Sequence, residues 1–174
     1  TLDTLFNDFV KTEVLQDSNA VYCGDVCKSL QPIERSFKLF RSRLPKTLII
    51  QIKRFEVRDI PGGSSAFSFV PMSNRRKLED FVEFPLEGLD VSKYCEQSSV
   101  TSNNLPSTYD LFGIINHYGR LGFGHYTAMV RDYCRDRVSS HWIEADDHKI
   151  YDIANESNVV TKEAYVLFYR LRPN

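Results

Sequence analysis

Long apolar runs are missing from this chain: no stretch approaches the roughly 20 residues that a membrane-crossing helix needs. Excess charge of either sign is missing too. Lys+Arg number 22 against Asp+Glu 23, a net charge of -1, so there is no electrostatic case for nucleic acid or an anionic membrane as partner. Cysteine is sparse: 4 residues, two of them a close pair (Cys23, Cys27) and two isolated (Cys95, Cys134). That is too few for a disulfide framework and points to a reducing compartment, the cytoplasm, with the nucleus as a further location. The opening TLDTLFNDFVKTEVL lacks the pattern of a signal peptide. It also lacks an initial methionine and is helix-like from its second residue, which reads as a piece of something larger.

What is present suits one domain with a real core. The chain has 174 residues, 42% apolar and 26% charged. Leu2, Leu5, Phe6, Phe9, Val10 and Val14 recur at helical spacing and predict an amphipathic helix over 2–15, with Asp3 suiting the start of its dipole. VYCGDVC then reads as a tight turn. LPKTLIIQIKRFEV (44–57) predicts a well-buried strand after Pro45. Residues 58–76 read as a long surface loop and 96–108 as a polar linker. From Tyr109 onward the pattern is strand, turn, strand: YDLFGIINHY, HYTAMVRDY, HWIEAD and AYVLFYRLR, the first two flanking a loop GRLGFG (119–124). Helix first and antiparallel β afterwards predicts an α+β domain.

GFGHYTAMV places His125 at the mouth of a strand, with Gly122 and Gly124 clearing space before it. An imidazole acting as a base needs a third group to hold its ring and tautomer. If HYTAMVRDY and HWIEAD form one hairpin turning at Cys134–Arg137, centred between 135 and 136, His125 directly faces Asp146 on the same side of the sheet. A one-residue slip would send the two to opposite faces. Singly, a solvated loop histidine and a turn aspartate would explain these residues. Jointly, they read as an acid–base pair, in the order seen in papain-like cysteine proteases.

These residues belong to a longer pattern. The chain resembles the C-terminal half of the catalytic domain of the ubiquitin-specific proteases. LPKTLIIQIKRF resembles that family's "LP..L...LKRF" strand, FVEFPLEGLDVSKY its "FP...LD...Y" segment, and VYCGDVCKS the second knuckle of its zinc ribbon. YDLFGIINHYGRLGFGHYTAMVRDY is similar to the histidine box, HWIEADDHKIYDI to the aspartate box, and AYVLFYRLR to the closing strand. The resemblance implies a papain-like α+β fold: 1–43 as N-terminal helix and knuckle, 44–174 as palm with part of the fingers. It implies hydrolysis of the bond after the C-terminal glycine of ubiquitin, with ubiquitin and ubiquitinated proteins as partners. His125 would be the general base, Asp146 its orienting group and Asp147 an assistant. His117, Gly119, Gly122, Gly124 and Tyr126 would line the channel for the ubiquitin tail, whose Gly-Gly end needs close backbone approach. Arg54 and Phe55 read as structural; the stretch 119–124 resembles one of the family's blocking loops over the ubiquitin tail, and 58–73 matches the other in location but not in sequence.

The family's cysteine box, roughly "GN.CY.N", has no counterpart here. Cys23 and Cys27 lie in the knuckle and Cys95 precedes the linker. Cys134 sits at the hairpin turn, ~30 Å along the strand from His125. The nucleophile is therefore expected in a missing N-terminal half of the catalytic domain, a further partner, and this chain alone is expected to be inactive. Catalysis by this class requires no cofactor. A structural zinc in the intact parent would need four ligands, of which Cys23 and Cys27 supply two, spaced C-x3-C rather than C-x2-C. Two other readings stand beside the enzyme: an inactive ubiquitin-binding module of the same fold, and a general β-rich interaction domain.

Overall fold

A computed structural model describes residues 1–57, 75–96, 105–120, 123–132 and 141–173. Helix α1 (Leu2–Val10) starts where the Thr1 hydroxyl accepts from the Thr4 backbone N–H at 3.2 Å. Leu2 is buried, and Phe6 stacks on Tyr94 at 4.8 Å between ring centroids. Asp3 is tied to the same segment: Tyr94 Oη donates to its carboxylate at 2.6 Å, and Lys93 pairs with it. The Lys93 hydrogen bond is the main force holding the Asp3 carboxyl below its ordinary range.

The helix is shorter than the periodicity predicts. It stops at Val10, because Glu13–Leu15 form strand β1, whose backbone pairs instead with β4 (Ile33–Arg35). β-branched Thr12 and Val14 favour that exchange. Between them, VYCGDVC carries the expected turn, which closes a hairpin: β2 (Val21–Cys23) pairs with β3 (Ser29–Gln31), Cys23 opposite Ser29.

The remaining strands build the sheet that carries the site. They are β5 (Thr47–Gln51), β8 (Leu89–Asp90), β9 (Thr108–Arg120), β10 (Phe123–Arg131), β11 (Trp142–Asp146), β12 (Lys149–Ile153) and β13 (Ala164–Leu171). The spatial order is β12-β11-β10-β9-β13-β5, with β8 also pairing β9. β6 (Phe55–Val57) and β7 (Arg75–Lys77) form a separate ribbon. All strand pairs among the described residues are antiparallel. Among the described residues, one α-helix and antiparallel sheets make the domain α+β, as expected.

The centre of the sheet is β9, flanked by β10 and β13. Its Tyr109, Leu111 and Ile114 pack with Trp142, Leu167 and Tyr169 in the core. The two buried phenols find carbonyls: Tyr109 Oη donates to Pro45 O at 2.8 Å and Tyr169 Oη to Pro85 O at 2.7 Å. Burial pushes Tyr109 up to about 12 and raises Tyr169 as well.

The predicted buried strand over 44–57 is two strands, and the first lies at the sheet edge. Among the described residues β5 pairs only with β13, and Ile49 is 60% exposed. Arg54 breaks the run. Its guanidinium turns inward, 1% exposed, and donates to Ala164 O at 2.7 Å, Asp80 O at 2.8 Å and Leu78 O at 3.2 Å. A β-branched run reports strand propensity, not the number of neighbours the strand acquires. The expected loop over 58–76 falls mostly outside the described residues, although Arg75 and Arg76 belong to β7. Most of the expected linker, the turn at Cys134–Arg137, Cys134 itself and Gly122 lie outside them too. The loop expected over 119–124 is largely strand: β9 continues to Arg120 and β10 begins at Phe123, paired with it.

Candidate active site

Antiparallel pairing of β10 with β9 sets two faces. His125 lies opposite Tyr118 and Thr127 opposite Asn116, so these four share one face. His117 lies opposite Tyr126 and Gly119 opposite Gly124, on the other. β11 is added on the far side of β10, with Ala128 opposite Ala145 and Arg131 opposite Trp142. This register differs from the predicted one by two residues: continued outward, it puts Asp146 across from Thr127, with His125 diagonal to it. An even displacement preserves the face. The contact survives because a diagonal neighbour is within reach of an imidazole.

His125 Nε2–H donates to Asp146 Oδ1 at 2.5 Å, both side chains being partly exposed. An ionised carboxylate can only accept, which places a ring proton on Nε2 and, in the neutral ring, leaves Nδ1 with its lone pair. Asp147 follows at the β11–β12 connection, at φ 51, a left-handed backbone that Asp tolerates better than most side chains. One ligand atom from each of His125, Asp146 and Asp147 lies within 4.8 Å of the others. The His125 pKa is raised, first by the hydrogen bond to Asp146 and then by the charges of Asp146 and Asp147, against opposing desolvation. Beside this pair on the same face, the Thr127 hydroxyl donates to Glu144 Oε1 at 2.8 Å. Sequence reasoning missed Glu144, although its i, i+2 spacing from Asp146 was a signal. A second contact, His141 Nε2 to Asp152 Oδ1 at 2.9 Å, shows that a His–Asp pair is not by itself a site. The histidine-box pattern falls on His125.

On the opposite face His117 is 3% exposed. Its ring meets Tyr126 at 4.8 Å, Phe55 edge-on at 5.3 Å and Tyr165 at 6.1 Å. Burial, and secondarily the charge of Lys77, lower its pKa. Lys77 Nζ donates to His117 O at 2.5 Å and to Glu163 Oε2 at 2.6 Å. Lys77 and Glu163 carry no local sequence signal. Of the residues expected along the ubiquitin tail, Tyr126 is exposed, His117 is buried, and Gly119 (φ 95) and Gly124 form one rung of the hairpin.

The cysteines divide by environment. Cys23 Sγ accepts from the Cys27 backbone N–H at 3.4 Å, and that bond, with further N–H and thiol donors of the knuckle, lowers its pKa. The hairpin thus presents two thiols of zinc-ligating chemistry. Among the described residues, no third His, Cys, Asp or Glu joins them, and a four-ligand zinc site would need two further ligands. Cys95 is the reverse case: its thiol donates to Val91 O at 3.4 Å, and burial raises its pKa, which favours the protonated thiol.

The ubiquitin carboxyl-terminal hydrolase family model matches residues 3–169. The chain belongs to that family. Human ubiquitin carboxyl-terminal hydrolase 19 is 43% identical over 99% of this chain, and mouse ubiquitin carboxyl-terminal hydrolase 4 is 36% identical over 94%. The chain spans 12% and 14% of those proteins' lengths. Among solved structures, a yeast SAGA DUB module matches 99% of the chain and 33% of its own, at a TM-score of 0.70 and 31% identity. The SAGA Ubp8/Sgf11/Sus1/Sgf73 DUB module bound to ubiquitin aldehyde matches 99% and 34%, at a TM-score of 0.70 and 29% identity. The fold of this hydrolase-family chain is therefore the papain-like α+β fold of the ubiquitin-specific proteases.

Proposed function

We propose that this chain supplies the general base and its orienting carboxylate to a deubiquitinase that cleaves the isopeptide or peptide bond after the C-terminal glycine of ubiquitin. The observation that carries this reading is the 2.5 Å contact between His125 Nε2 and Asp146 Oδ1. A proton held at Nε2 makes Nδ1 the acceptor for a thiol proton. The nucleophilic cysteine comes from a part of the catalytic domain outside this chain. Its S–H proton passes to Nδ1, and the thiolate attacks the carbonyl carbon of the scissile bond. The imidazolium then protonates the departing lysine amine, leaving a thioester. His125 next takes a proton from water, which attacks the thioester and releases the ubiquitin carboxylate while the thiol is restored. Asp146 holds the ring and stabilises the imidazolium; Asp147 adds negative charge beside it. No step passes through a metal. Ubiquitinated proteins are the substrates, and the cysteine-bearing half is an obligatory partner, so this chain by itself turns over no substrate.

The test uses the full-length protein and a fluorogenic ubiquitin C-terminal amide. His125→Ala should reduce kcat on the order of 10³-fold or more while ubiquitin binding persists. Turnover by the His125→Ala variant at the parental rate would overturn the assignment. Ubiquitin binding with no turnover by the parent would favour a non-catalytic ubiquitin-binding module.

A further inference from the structure

Gly124, immediately before His125, has no room for a side chain, and what fills the room is part of this protein. A Cβ built there would overlap His117 Nε2 and lie 2.9 Å from His117 Cδ2, with Tyr118 O at 2.8 Å. Real Cβ atoms do not approach neighbours so closely. The ring of His117 therefore lies on the Cα of Gly124. It arrives there because His117 opposes Tyr126 in the β9–β10 ladder, which makes Gly124 its diagonal neighbour on the same face.

The ring is also held from behind. Phe55 and Tyr165 pack on it from other elements, Tyr126 from its own hairpin. Its backbone is fixed at both polar atoms: His117 N–H donates to Glu163 O at 2.9 Å, and Lys77 donates to His117 O at 2.5 Å. Burial, and secondarily the charge of Lys77, lower the pKa of this imidazole, which favours its neutral form.

We propose that His117 is a positioning residue for His125: its imidazole, seated on Gly124, fixes the height of the β10 backbone one residue before the base. The proposal rests on the reading of His125 as general base. It gives the glycine a different task from clearing a channel for substrate. A strand that rises at Gly124 carries His125 away from Asp146 on the opposite face, and displacements near 1 Å at a reacting group cost roughly 10²-fold in rate.

The experiment is a mutant cycle in the full-length protein: Gly124→Ala, His117→Ala and the double variant, read by melting temperature and by kcat and KM on the ubiquitin amide. Gly124→Ala should lower kcat by about 100-fold with KM nearly unchanged, and His117→Ala by about 10-fold. The double variant should be more active and higher melting than Gly124→Ala, because the new methyl occupies the space the ring vacates. The rescue should be partial, since Tyr118 O remains 2.8 Å away. His117→Ala thus changes sign, harmful alone and helpful when combined with Gly124→Ala. A Gly124→Ala variant as active as the parent would overturn the proposal. So would a double variant no more active or stable than Gly124→Ala, or a Gly124→Ala loss confined to KM, which would mark a substrate channel. Failure of the parent to cleave ubiquitin amide would instead sink the deubiquitinase reading, and the melting cycle would still decide the packing.

Discussion

Lys77 and Glu163 form an ion pair at 2.6 Å, with side chains only 5% and 19% exposed, directly behind the hairpin that carries His125. The same ammonium donates to His117 O, so three segments distant in sequence meet at one nitrogen. Removing one partner strands the other charge in a poorly solvated place. Glu163→Leu should destabilise the fold by about 3 kcal/mol in chemical denaturation, and adding Lys77→Met to it should recover part of that loss. A Glu163→Leu variant as stable as the parent would show that the pair is solvated.

The raised His125 pKa has a direction that can be checked in solution. A folded pKa above the unfolded value of about 6.5 means that the Asp146 contact stabilises the folded protein fully below pH ~6.5. This contribution fades as pH rises through the folded pKa. Titration of the His125 ring protons by NMR should give a midpoint above 6.5, and Asp146→Asn should move it down, because the leading cause of the shift is that hydrogen bond. Asp147→Asn should move it the same way by less. No downward movement in Asp146→Asn would separate the ring from that carboxylate.

Arg54→Lys should fail as a conservative change. One guanidinium serves the carbonyls of Ala164, Leu78 and Asp80 from two nitrogens, a fork that a single ammonium does not reproduce. Carbonyls left unpaired in a buried setting cost about 1–3 kcal/mol each. The expected loss of melting temperature is on the order of 5 °C or more; an unchanged melt would count against the inward guanidinium.

The thiols should separate by reactivity. Backbone N–H donors favour the Cys23 thiolate, whereas burial disfavours that of Cys95. Iodoacetamide at neutral pH followed by peptide mass mapping should find Cys23 alkylated before Cys95. Reversal of that order would show the knuckle to be folded differently.

Much of the site is legible in the chain, for a reason that the strands make plain. Alternation places His125 and Asp146 on one face, because side-chain direction along a strand is a local property with period two. The register predicted from the sequence lies two residues away from the observed one, because it rests on an assumed turn centre and the sequence over 133–140 carries no decisive turn signature. The error is harmless only because it is even. The helix boundary at Val10 is missed for a related reason: apolar spacing through Val14 is compatible with a helix, and only pairing with Arg35 and its neighbours turns Glu13–Leu15 into a strand.

By itself the sequence determined the family, the succession of a first helix and the later strands β9, β10, β11 and β13, and which side chains of each of those strands look the same way. These properties are local, or are written in motifs such as GFGHYTAMV and WIEADD. Only the tertiary structure decided that β5 is an edge, that Arg54 turns inward, that Lys77 finds Glu163, and that the imidazole of His117 occupies the space beside Gly124. Each joins residues whose proximity depends on how strands pair in three dimensions, and an interaction between distant positions leaves no imprint on the local pattern of either one.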